Sequence, residues 1–391
     1  MSSSAPFTFK WGIISTGQIA TKFVEACVDS SGRLWTQDLL VDPKTRTVDD
    51  VTHKIVAVGS RSVPKAQEFI DAKINGDKSI KAYGSYDEVF ADPVSITIIR
   101  TPHTYHYPAA LAALKAKKHV LCEKPVTSNA AELKSLLAAA KENNVFFMEA
   151  MWTRFQPLAQ EIKKVVDSGE LGLPIALHAD LSGDFDIENI PTTHRILDPQ
   201  LGGGALLDLG PYPLVWAIML LYEHPANAGA KPANISGSML KTPRTGVDAS
   251  SAFTLTFSPD SSATSSSPNQ TLRAQAHLTC NTTLNAIDPG VIVRFQRGTI
   301  RVSAPIYCPK AFSVEYLDAK GLVEKKEEKK AEYVGGGWHF QADEVARCVR
   351  DGKTESALWG HDKSLLEMEI FGEVRKQGGY KFPPGVEHVT E

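Results

Sequence analysis

The sequence has no long basic run, no paired-cysteine motif and no long uninterrupted apolar stretch. Its formal net charge is -3 over 391 residues, which argues against nucleic acid or a membrane surface as a partner recognised through bulk charge. The five cysteines are odd in number and never spaced as CxxC, which favours reduced thiols and argues against a metal site. The chain lacks the roughly 20 consecutive apolar residues of a membrane span. Its start, MSSSAPFTFKWGII, lacks a basic segment followed by an apolar one, so a cytoplasmic location is expected.

What the sequence does contain is a regular alternation of strand and helix patterns in its first third. The predicted strands are FKWGIIS, KIVAVGS, SITIIRTP, KHVLCEKP and VFFMEA, with helical spacing between them. Apolar runs of this kind, separated by helices, are typical of a parallel sheet covered on both faces. The length of the chain exceeds one ordinary core. We therefore predict an α/β protein with a dinucleotide-binding Rossmann domain over residues 1–150 and a second domain over 151–391.

The second domain has a different pattern. Phe253, Leu255 and Phe257 alternate with small or polar residues, and alternation with period two predicts an antiparallel sheet with one covered face. The fold class is thus α/β, with a large, mostly antiparallel open sheet in the second domain. The run KKEEKK at 325–330 is interpreted as a solvated turn rather than a binding patch.

Two polar stretches interrupt these patterns. The segment around residues 31–52 is long for an α/β connection, and we interpret it as a surface insertion, with a subunit-contact loop as the alternative. The low-complexity stretch at 258–271 is interpreted as a hairpin loop.

A degenerate dinucleotide fingerprint follows the first predicted strand. In GIISTGQIA the G-x-G-x-x-G/A register falls on Ser15, Gly17 and Ala20. Gly17 allows the backbone to approach a pyrophosphate, and the helix N-terminus offers N–H groups to it. Ser15 replaces the first glycine, so the turn has to tolerate a Cβ there. The alternative is a merely structural turn.

The second predicted strand ends in GSRS, without the acidic residue that commonly binds the ribose 2′-hydroxyl of NAD. Ser60 and Arg61 stand there instead. A hydroxyl and a guanidinium suit the dianionic 2′-phosphate of NADP. The sequence therefore predicts NADP as the cofactor, with an ordinary solvated arginine as the alternative.

Three polar residues form the predicted reacting centre. Lys124, in VLCEKP, follows a predicted parallel strand at the edge where switch-point sites lie. In GGGALLDLGPYP, Asp208 and Tyr212 are four residues apart, a spacing that places them on one face of a helix. A nearby ammonium lowers the pKa of a phenol and so favours an acid–base pair. The alternative is that Asp208 caps or pairs locally and Tyr212 only packs.

The motifs GIISTGQIA, AYGSYDEVF, VLCEKP, FFMEAMWTRFQP and GGGALLDLGPYP, in this order, resemble the glucose–fructose oxidoreductase/inositol dehydrogenase/MocA family. Within it the chain is similar to the branch of dimeric dihydrodiol dehydrogenases and NADP-dependent D-xylose 1-dehydrogenases. The resemblance implies a homodimer, a catalytic lysine at Lys124 and substrate-domain partners at Asp208 and Tyr212. It places Trp152 beside nicotinamide and substrate. The residues implied to bind the cofactor, from this resemblance and from the fingerprint, are Ser15, Thr16, Gly17, Gln18, Ile19, Ser60, Arg61, Thr101, His103, His106, Glu123, Lys124, Trp152 and Arg154.

The predicted function is NADP-dependent oxidation of a sugar at its anomeric carbon, D-xylose to D-xylonolactone. Lys124, Trp152, Asp208 and Tyr212 are expected to bind the substrate, with Lys124, Asp208 and Tyr212 catalytic. The sequence leaves two alternatives open. One is oxidation of a trans-dihydrodiol by the same residues, and the other is a non-catalytic NADP-sensing regulator. No nucleic-acid or membrane partner is expected. The apolar face of the open sheet is predicted to meet its symmetry copy in a dimer.

Overall fold

The computed structural model describes residues 6–24, 27–28, 34–35, 39, 50–93, 96–99, 101–259, 269–333 and 336–390, with the backbone alone at 27–28 and 34–35. Most of the predicted insertion at 31–52 and the middle of the predicted loop at 258–271 lie outside the described residues. The strand after the insertion begins at Val51 rather than at Lys54.

The described strands, in chain order, are β1 (Phe7–Ile14), β2 (Cys27–Val28), β3 (Leu34–Trp35), β4 (Val51–Gly59), β5 (Lys81–Tyr83), β6 (Ile96–Ile99), β7 (His119–Cys122), β8 (Phe147–Glu149), β9 (Pro174–Ser182), β10 (Asn234–Lys241), β11 (Asp248–Phe257), β12 (Ala274–Asn281), β13 (Val291–Phe295), β14 (Gly298–Val302), β15 (Ala311–Leu317) and β16 (Val323–Lys330). The α-helices are α1 (Gln18–Val24), α2 (Val63–Lys73), α3 (Tyr86–Ala91), α4 (His106–Lys115), α5 (Ala130–Asn143), α6 (Pro157–Asp167), α7 (Ala205–Asp208), α8 (Pro211–Ala217), α9 (His339–Arg350) and α10 (His361–Gln377).

The chain divides by its contacts into two units. The first contains residues Met1–Trp152, Tyr333–Ser364 and His388–Glu391, and the second contains Thr153–Glu332 and Leu365–Glu387. The predicted boundary at 150/151 is two residues from the observed change of unit. The prediction that all of 151–391 belongs to the second domain is corrected, because residues 333–364 and 388–391 return to the first unit.

Side-chain contacts between α9 and the region of β4 explain why α9 belongs to the first unit. Asp343 on α9 lies 2.8 Å from Nε2 of His53 on β4, and Arg347 forms a two-bond contact with Asp50 just before β4. Both partners of each pair are in the first unit. The sequence pattern alone shows α9 as a terminal helix but gives no sign of this return.

The first unit is built on a six-stranded parallel sheet in the order β5-β4-β1-β6-β7-β8. β1 is apolar because it lies in the middle, and Trp11, Ile13 and Ile14 are completely buried. Capping residues in the sequence mark where helices α2 and α5 begin. Ser62 caps α2 with Pro64 in its first turn, and Asn129 caps α5, where Glu132 is the third helical residue. The predicted Rossmann architecture is confirmed.

The second unit contains an eight-stranded sheet in the order β10-β11-β12-β9-β13-β14-β15-β16. Only β9 and β12 pair in parallel, and the other neighbours are antiparallel. The predicted mostly antiparallel sheet is therefore confirmed. The segment KKEEKK belongs to the edge strand β16, so its interpretation as a turn was wrong. Alternating charges on an edge strand discourage pairing with another chain.

The two faces of this sheet differ in polarity. Phe253, Leu255 and Phe257 are buried as predicted. On the opposite face, Thr254 lies 3.3 Å from His277, and His277 stacks on His178 with ring centroids 4.8 Å apart. The prediction of an apolar open face is wrong here, because the intervening positions carry hydroxyl, imidazole and charged groups.

One helical stretch, Pro199–Tyr222, is long and apolar enough by length and composition to cross a membrane. In its most apolar window, 94% is buried inside the protein. We interpret it as a core element of the second unit, because core helices pass the same test.

Candidate active site

The carboxyl ends of five parallel strands place most of the predicted cofactor residues along one edge of the first sheet. Because these strands are parallel, their carboxyl ends lie at the same edge. The residues that follow β1, β4, β6, β7 and β8, and that the sequence analysis assigned to the cofactor, are Ser15, Thr16, Gly17, Gln18, Ile19, Ser60, Arg61, Thr101, His103, Glu123, Lys124 and Trp152. This collection was predicted from the order of the motifs.

The fingerprint turn has the form that a phosphate cradle needs. Ser15 adopts φ +79°, a left-handed conformation that glycine usually takes, and its N–H donates to Gly59 O at 3.0 Å. The nearest atom to a Cβ placed on Gly17 is Ser15 Oγ at 3.7 Å, so the turn is open beside it. The Oγ atoms of Thr16 and Ser60 are 3.3 Å apart. The two predicted cofactor segments therefore meet, and the cradle suits a pyrophosphate.

Tyr86 is a residue that the sequence analysis missed at this turn. Its hydroxyl hydrogen-bonds with the side chain of Ser15, and the charge of Arg61 acts on it. Burial is the main cause that raises the pKa of Tyr86. The signal was available, because Tyr86 lies in AYGSYDEVF, a motif of the family resemblance. Arg61 is exposed at the end of β4, where a 2′-phosphate can reach it.

The two histidines of the loop after β6 differ in their burial. His103 is half-buried and opens a short 3₁₀ turn, whereas His106 is 1% exposed. Nδ1 of His106 lies 2.7 Å from Pro125 O, and Nε2 lies 2.9 Å from Thr101 O. Both ring nitrogens thus face main-chain carbonyls, so the prediction that His106 contacts the cofactor is corrected: it ties two loops together. Burial is the main cause that lowers the pKa of His106.

Thr101 offers a second test of the cofactor fit. Its Oγ1 is buried and lacks a hydrogen-bond partner among the described residues. A buried hydroxyl without a partner costs free energy, which a ligand group recovers when it bonds there. The position of Thr101 at the carboxyl edge, together with the open turn at Gly17, fits a bound dinucleotide.

The segment that follows Lys124 is held by a buried carboxylate. Oε1 of Glu149 accepts the N–H of Val126 at 3.0 Å, and Oε2 accepts from Trp359 Nε1 at 3.1 Å and Ser364 Oγ at 2.6 Å. Glu149 is 1% exposed. A carboxylate only accepts hydrogen bonds, so three donors suit it. The sequence analysis missed Glu149, Trp359 and Ser364, because the last two come from the returning C-terminal segment.

Trp152 and Arg154, neighbours in sequence, lie in different units. Trp152 is 5% exposed and stacks on Trp338, with ring centroids 4.5 Å apart and ring planes 14° apart. Arg154 is buried, and its Nη2 lies 3.0 Å from Oε2 of Glu223 within the second unit. Nε and Nη1 of Arg154 are buried and lack a hydrogen-bond partner among the described residues, so the assignment of Arg154 to the cofactor stays a prediction.

In the second unit, the predicted helix with Asp208 and Tyr212 is divided. Asp208 ends α7 and Tyr212 is the second residue of α8, with Leu209 and Gly210 between the two helices. Pro211 and Pro213 have no N–H to continue the hydrogen-bond ladder. The hydrogen-bond ladder is therefore interrupted, but Leu209 and Gly210 between the two helices keep right-handed helical dihedral angles. The placement of Asp208 and Tyr212 on one face stays a prediction.

Asp208 has a charged neighbour that the sequence analysis missed. Its Oδ1 lies 2.9 Å from Nη1 of Arg195, with the aspartate side chain 9% exposed and the arginine side chain 47% exposed. The local pairing that the sequence left open thus exists. Asp208 is thus a buried carboxylate beside a partly exposed cation.

Two of the three glycines before α7, Gly203 and Gly204, are required by close approach of other atoms. A Cβ on Gly203 would lie 2.8 to 3.0 Å from three main-chain oxygens, and one on Gly204, which has φ +118°, would lie 2.0 Å from Oδ1 of Asp248. Oδ2 of Asp248 accepts the N–H of Leu206 at 2.7 Å and Ser251 Oγ at 2.7 Å. Asp248 therefore supplies the cap that Gly204 lacks.

Burial gives Asp248 an unusual acidity. It raises the pKa of this carboxyl to about 6, opposed by its hydrogen bonds to Ser251 and to the N–H of Leu206. The positive charge of Arg375 also opposes this rise in the pKa. Gly204 and Asp248 thus fit closely together at the start of α7, the helix that ends at Asp208.

Tyr212 is half-buried and lies against Tyr307, with ring centroids 5.4 Å apart. Burial raises the pKa of Tyr307. Lys124 belongs to the first unit and Tyr212 to the second, so their acid–base pairing remains a prediction. Among the residues with described positions, no three His, Cys, Asp or Glu side chains converge to hold a metal ion.

Comparison with known proteins places the two units in one family. Residues 9–151 match an oxidoreductase family with an NAD-binding Rossmann fold, and residues 159–301 match the GFO/IDH/MocA C-terminal domain. The chain is 37% identical to the D-xylose 1-dehydrogenase (NADP(+)) of Hypocrea jecorina, over 98% of this chain and 95% of that protein. It is 32% identical to the trans-1,2-dihydrobenzene-1,2-diol dehydrogenase of Danio rerio, over 95% and 97% of the two chains.

A solved structure supports the fold. The aldose-aldose oxidoreductase from Caulobacter crescentus aligns with a TM-score of 0.72 at 21% identity, over 95% of this chain and 98% of that one. At this identity the likeness concerns the fold alone.

Proposed function

The chain belongs to the GFO/IDH/MocA oxidoreductase family, and on this premise we propose that it oxidises a sugar at its anomeric carbon with NADP, converting D-xylose to D-xylonolactone. The observation that carries the proposal is that the fingerprint turn, Arg61 and Lys124 follow strands β1, β4 and β7 along the same carboxyl edge of the parallel sheet. The 37% identity to the D-xylose 1-dehydrogenase of Hypocrea jecorina over nearly the full length of both chains supports the substrate.

The first unit offers the groups for the cofactor. The residues of the turn from Ser15 to Ile19 would hold the pyrophosphate, and Ser60 and Arg61 would hold the 2′-phosphate. Thr101, His103, Glu123 and Trp152 complete the proposed site. When bound, NADP⁺ supplies the acceptor for the hydride that leaves C1 of the sugar.

The chain's own residues handle the proton. Oxidation of the anomeric carbon removes a hydride from C1 and a proton from its hydroxyl, which leaves the lactone. Tyr212 is the proposed acceptor of that proton. The ammonium of Lys124 favours the phenolate form of Tyr212 by its charge, and Asp208 hydrogen-bonds a substrate hydroxyl. Nη1 of Arg195, 2.9 Å from Oδ1 of Asp208, orients the carboxylate that accepts such a bond.

The identification of the substrate has one specific rival. The relative from Danio rerio is a trans-1,2-dihydrobenzene-1,2-diol dehydrogenase, and the same three polar residues serve oxidation of a vicinal diol. A sugar has more hydroxyl groups than a dihydrodiol, so its binding site needs more hydrogen-bond partners. The exposed Arg195 beside Asp208 favours the sugar, since it adds a donor for a hydroxyl.

The proposal also covers the roles of the two units, the oligomeric state and the location. The Rossmann unit binds the cofactor, and the sheet unit binds the substrate and forms a homodimer in the cytoplasm. The polar open face of the sheet implies that a dimer formed there relies on hydrogen bonds, including those of Thr254 and His277, more than on apolar contact.

The decisive experiment is a turnover assay with NADP⁺ and NAD⁺ against a panel of aldoses and vicinal diols. We expect reduction of NADP⁺ with D-xylose as the preferred substrate. Preference for a dihydrodiol moves the assignment to the rival. A protein that binds NADP⁺ and turns over no member of the panel contradicts the proposal and favours an NADP-sensing regulator.

Cofactor choice has its own test in Arg61→Asp. Loss of one charge-assisted contact should weaken NADP⁺ binding by about 1.5–3 kcal/mol and leave NAD⁺ binding nearly unchanged. Lys65→Asp, on the neighbouring helix α2, is the charge-matched control. Wild-type protein that binds NAD⁺ as tightly as NADP⁺ contradicts the assignment of Arg61.

The proton step is tested with Tyr212→Phe and Lys124→Met. Each should lower kcat by about 10²-fold or more, the scale for a lost general base. Tyr212→Phe should leave NADP⁺ affinity nearly unchanged, because Tyr212 is assigned to the substrate and not to the cofactor. The double variant should lose much less than the product of the two, because residues that act as a unit are not additive. Tyr307→Phe, which removes the neighbouring phenol, is the matched control. If Tyr212→Phe keeps near wild-type kcat, the phenol only packs.

A further inference from the structure

We infer that His388 is a positioning residue for the cofactor: with Val389, it holds the loop after β6 and the segment that follows Lys124 in the arrangement that binds NADP. The inference rests on the proposed function, because it takes that loop and that segment as parts of the cofactor site. His388 is the residue at which the chain re-enters the first unit, after Leu365–Glu387 in the second unit. The sequence analysis assigned no function to it.

The side chain of His388 contacts the loop after β6 at two points. Its Nε2 lies 3.3 Å from the main-chain oxygen of Thr104, and because a carbonyl oxygen only accepts hydrogen bonds, the ring nitrogen is the donor. The imidazole also stacks on the ring of Tyr107, with ring centroids 5.7 Å apart and ring planes 26° apart. Thr104 is the middle residue of the 3₁₀ turn that begins at His103. His388 therefore supports the turn that carries a predicted cofactor residue.

The main chain beside this imidazole is bonded to the start of α5. The N–H of His388 donates to Oε1 of Glu132 at 2.8 Å, and the carbonyl of Val389 accepts from Nδ2 of Asn129 at 2.9 Å. Glu132 is completely buried, and its Oε2 accepts the N–H of Ser128 at 2.9 Å. A buried carboxylate needs donors for both of its oxygens. One side chain, that of Glu132, thus joins His388 to the residues that precede α5.

Both parts of the chain held in this way border the proposed cofactor site. The loop after β6 contains Thr101, whose buried Oγ1 lacks a partner among the described residues. The segment that follows Lys124 comes after β7, the neighbour of β6 in the parallel sheet. The buried His106 joins this loop to Pro125. His388 is exposed, so it adds a second tie from the solvent side.

The expected consequence is a weaker affinity for the half of NADP that this loop receives. A loop that is in its binding-competent arrangement only part of the time raises the apparent Kd by the inverse of that fraction. The 2′-phosphate is proposed to bind Ser60 and Arg61, which follow β4, and β1 lies between β4 and β6 in the sheet. Binding of the 2′-phosphate half should therefore be insensitive to His388.

The test compares two ligands in the wild type and in His388→Ala: NADP⁺, and adenosine 2′,5′-bisphosphate, which carries the 2′-phosphate but lacks the nicotinamide half. Calorimetric titration should give a Kd for NADP⁺ about fivefold higher in the variant, the scale of one lost hydrogen bond. The Kd for the bisphosphate should stay the same. Amide hydrogen exchange at residues 103–107 should be faster in the variant without ligand, because the turn has lost its outer support.

Thr390→Ala is the matched control, since Thr390 is an exposed residue two positions along the same segment. It should leave the Kd for NADP⁺ unchanged. The inference is overturned if His388→Ala binds NADP⁺ as tightly as the wild type, or if it loses affinity for NADP⁺ and for the bisphosphate equally, as general destabilisation of the first unit would cause. A wild type that binds NADP⁺ but oxidises no sugar overturns the proposed oxidation instead, since the binding test needs no turnover.

Discussion

The segment around Lys124 in the first unit and the segment around Asp208 in the second both rest on a buried carboxylate. Glu149 accepts three hydrogen bonds, from Val126, Trp359 and Ser364. Asp248 accepts two through Oδ2, and its Oδ1 faces the Cα of a glycine. The first carboxylate is held by donors on other parts of the chain, and the second by a close backbone approach.

This difference decides how each segment tolerates change. A carboxylate surrounded by donors is stabilised when ionised, and replacing it leaves several buried donors without partners. Asp248 has fewer donors and a pKa raised to about 6 by burial, so its ionised form costs free energy. We infer that the Lys124 segment is rigid through hydrogen bonds, whereas the Asp208 segment is rigid mainly through steric fit.

The largest expected effect is that of Gly204→Ala. Gly204 has φ +118° and ψ 164°, a conformation restricted to glycine, and its Cβ would lie 2.0 Å from Asp248 Oδ1. We expect a loss of about 4 kcal/mol in the free energy of unfolding, since backbone strain and a buried clash add. Urea denaturation measures it.

The control for this prediction is Gly229→Ala. Gly229 also has a positive φ of +73°, but no atom lies within 4 Å of its Cβ position. It should cost only about 1 kcal/mol. Equal losses for the two variants would contradict the steric account of the Asp208 segment.

Glu149→Gln is the next largest effect and tests the first segment. The amide has the same shape but places N–H donors against the donors of Val126, Trp359 or Ser364. We expect a loss of about 3 kcal/mol in unfolding free energy, with a lower kcat because Lys124 is two residues from Val126.

Ser364→Ala serves as the control for Glu149, since it removes a single donor and leaves two. It should lose about 1 kcal/mol and keep kcat. A Glu149→Gln protein with wild-type stability and kcat would show that the hydrogen bonds do not hold the Lys124 segment.

The sequence correctly predicted the strands and turns that are determined by residues close together in the chain. Strands such as β1 and β7 are short apolar runs, and the fingerprint turn, Arg61 and Lys124 follow strand ends in the primary structure. That these residues lie along one edge of the sheet could be predicted from the rule that the carboxyl ends of parallel strands lie at the same edge. The family resemblance added Trp152, which stands at the same edge.

What the sequence could not predict depends on distant partners. Glu149 binds Trp359 and Ser364, more than 200 residues away, and Gly204 is required by Asp248, 44 residues later. The glycines of the GGGALL stretch give no sign in the sequence of what they contact, and the contacts that require Gly203 and Gly204 are with the protein itself. Hydrogen bonds between such positions leave no periodicity in the sequence.

The third prediction concerns pH. The pKa of Asp248 is raised from 3.8 to about 6 in the folded protein, so the proton is bound more tightly in the folded state than in the unfolded state. The stability that this gives is present below pH 3.8 and is lost as the pH rises to about 6. Relative to Asp248→Asn, which does not titrate, the wild type should lose about 2 to 3 kcal/mol between these limits.

The measurement is the difference in unfolding free energy between wild type and Asp248→Asn from pH 4 to pH 8. The charged and titratable groups around Asp248 are Arg375, Tyr380 and Cys280. None of them changes charge in this range, since burial raises the pKa of Tyr380 to about 12 and that of Cys280 well above its usual value. A difference that is constant with pH would show that Asp248 has an ordinary acidity.

The smallest expected effect is that of Arg195→Ala on stability. The Arg195 side chain is 47% exposed, and solvent screens an ion pair at such a position, so its loss should cost less than about 1 kcal/mol. The Asp208 segment should therefore keep its fold without the arginine, as expected if Gly204 and Asp248 hold it. Activity should respond more than stability, because Asp208 then lacks the guanidinium that orients its carboxylate, and KM for D-xylose should rise. Arg244→Ala, which removes a guanidinium bonded to the carbonyl of Ile190 in the same unit, gives the size of a purely structural loss. If Arg195→Ala destabilises the protein as much as Gly204→Ala does, the ion pair rather than the glycine fit holds the second segment, and the contrast between the two carboxylates no longer stands.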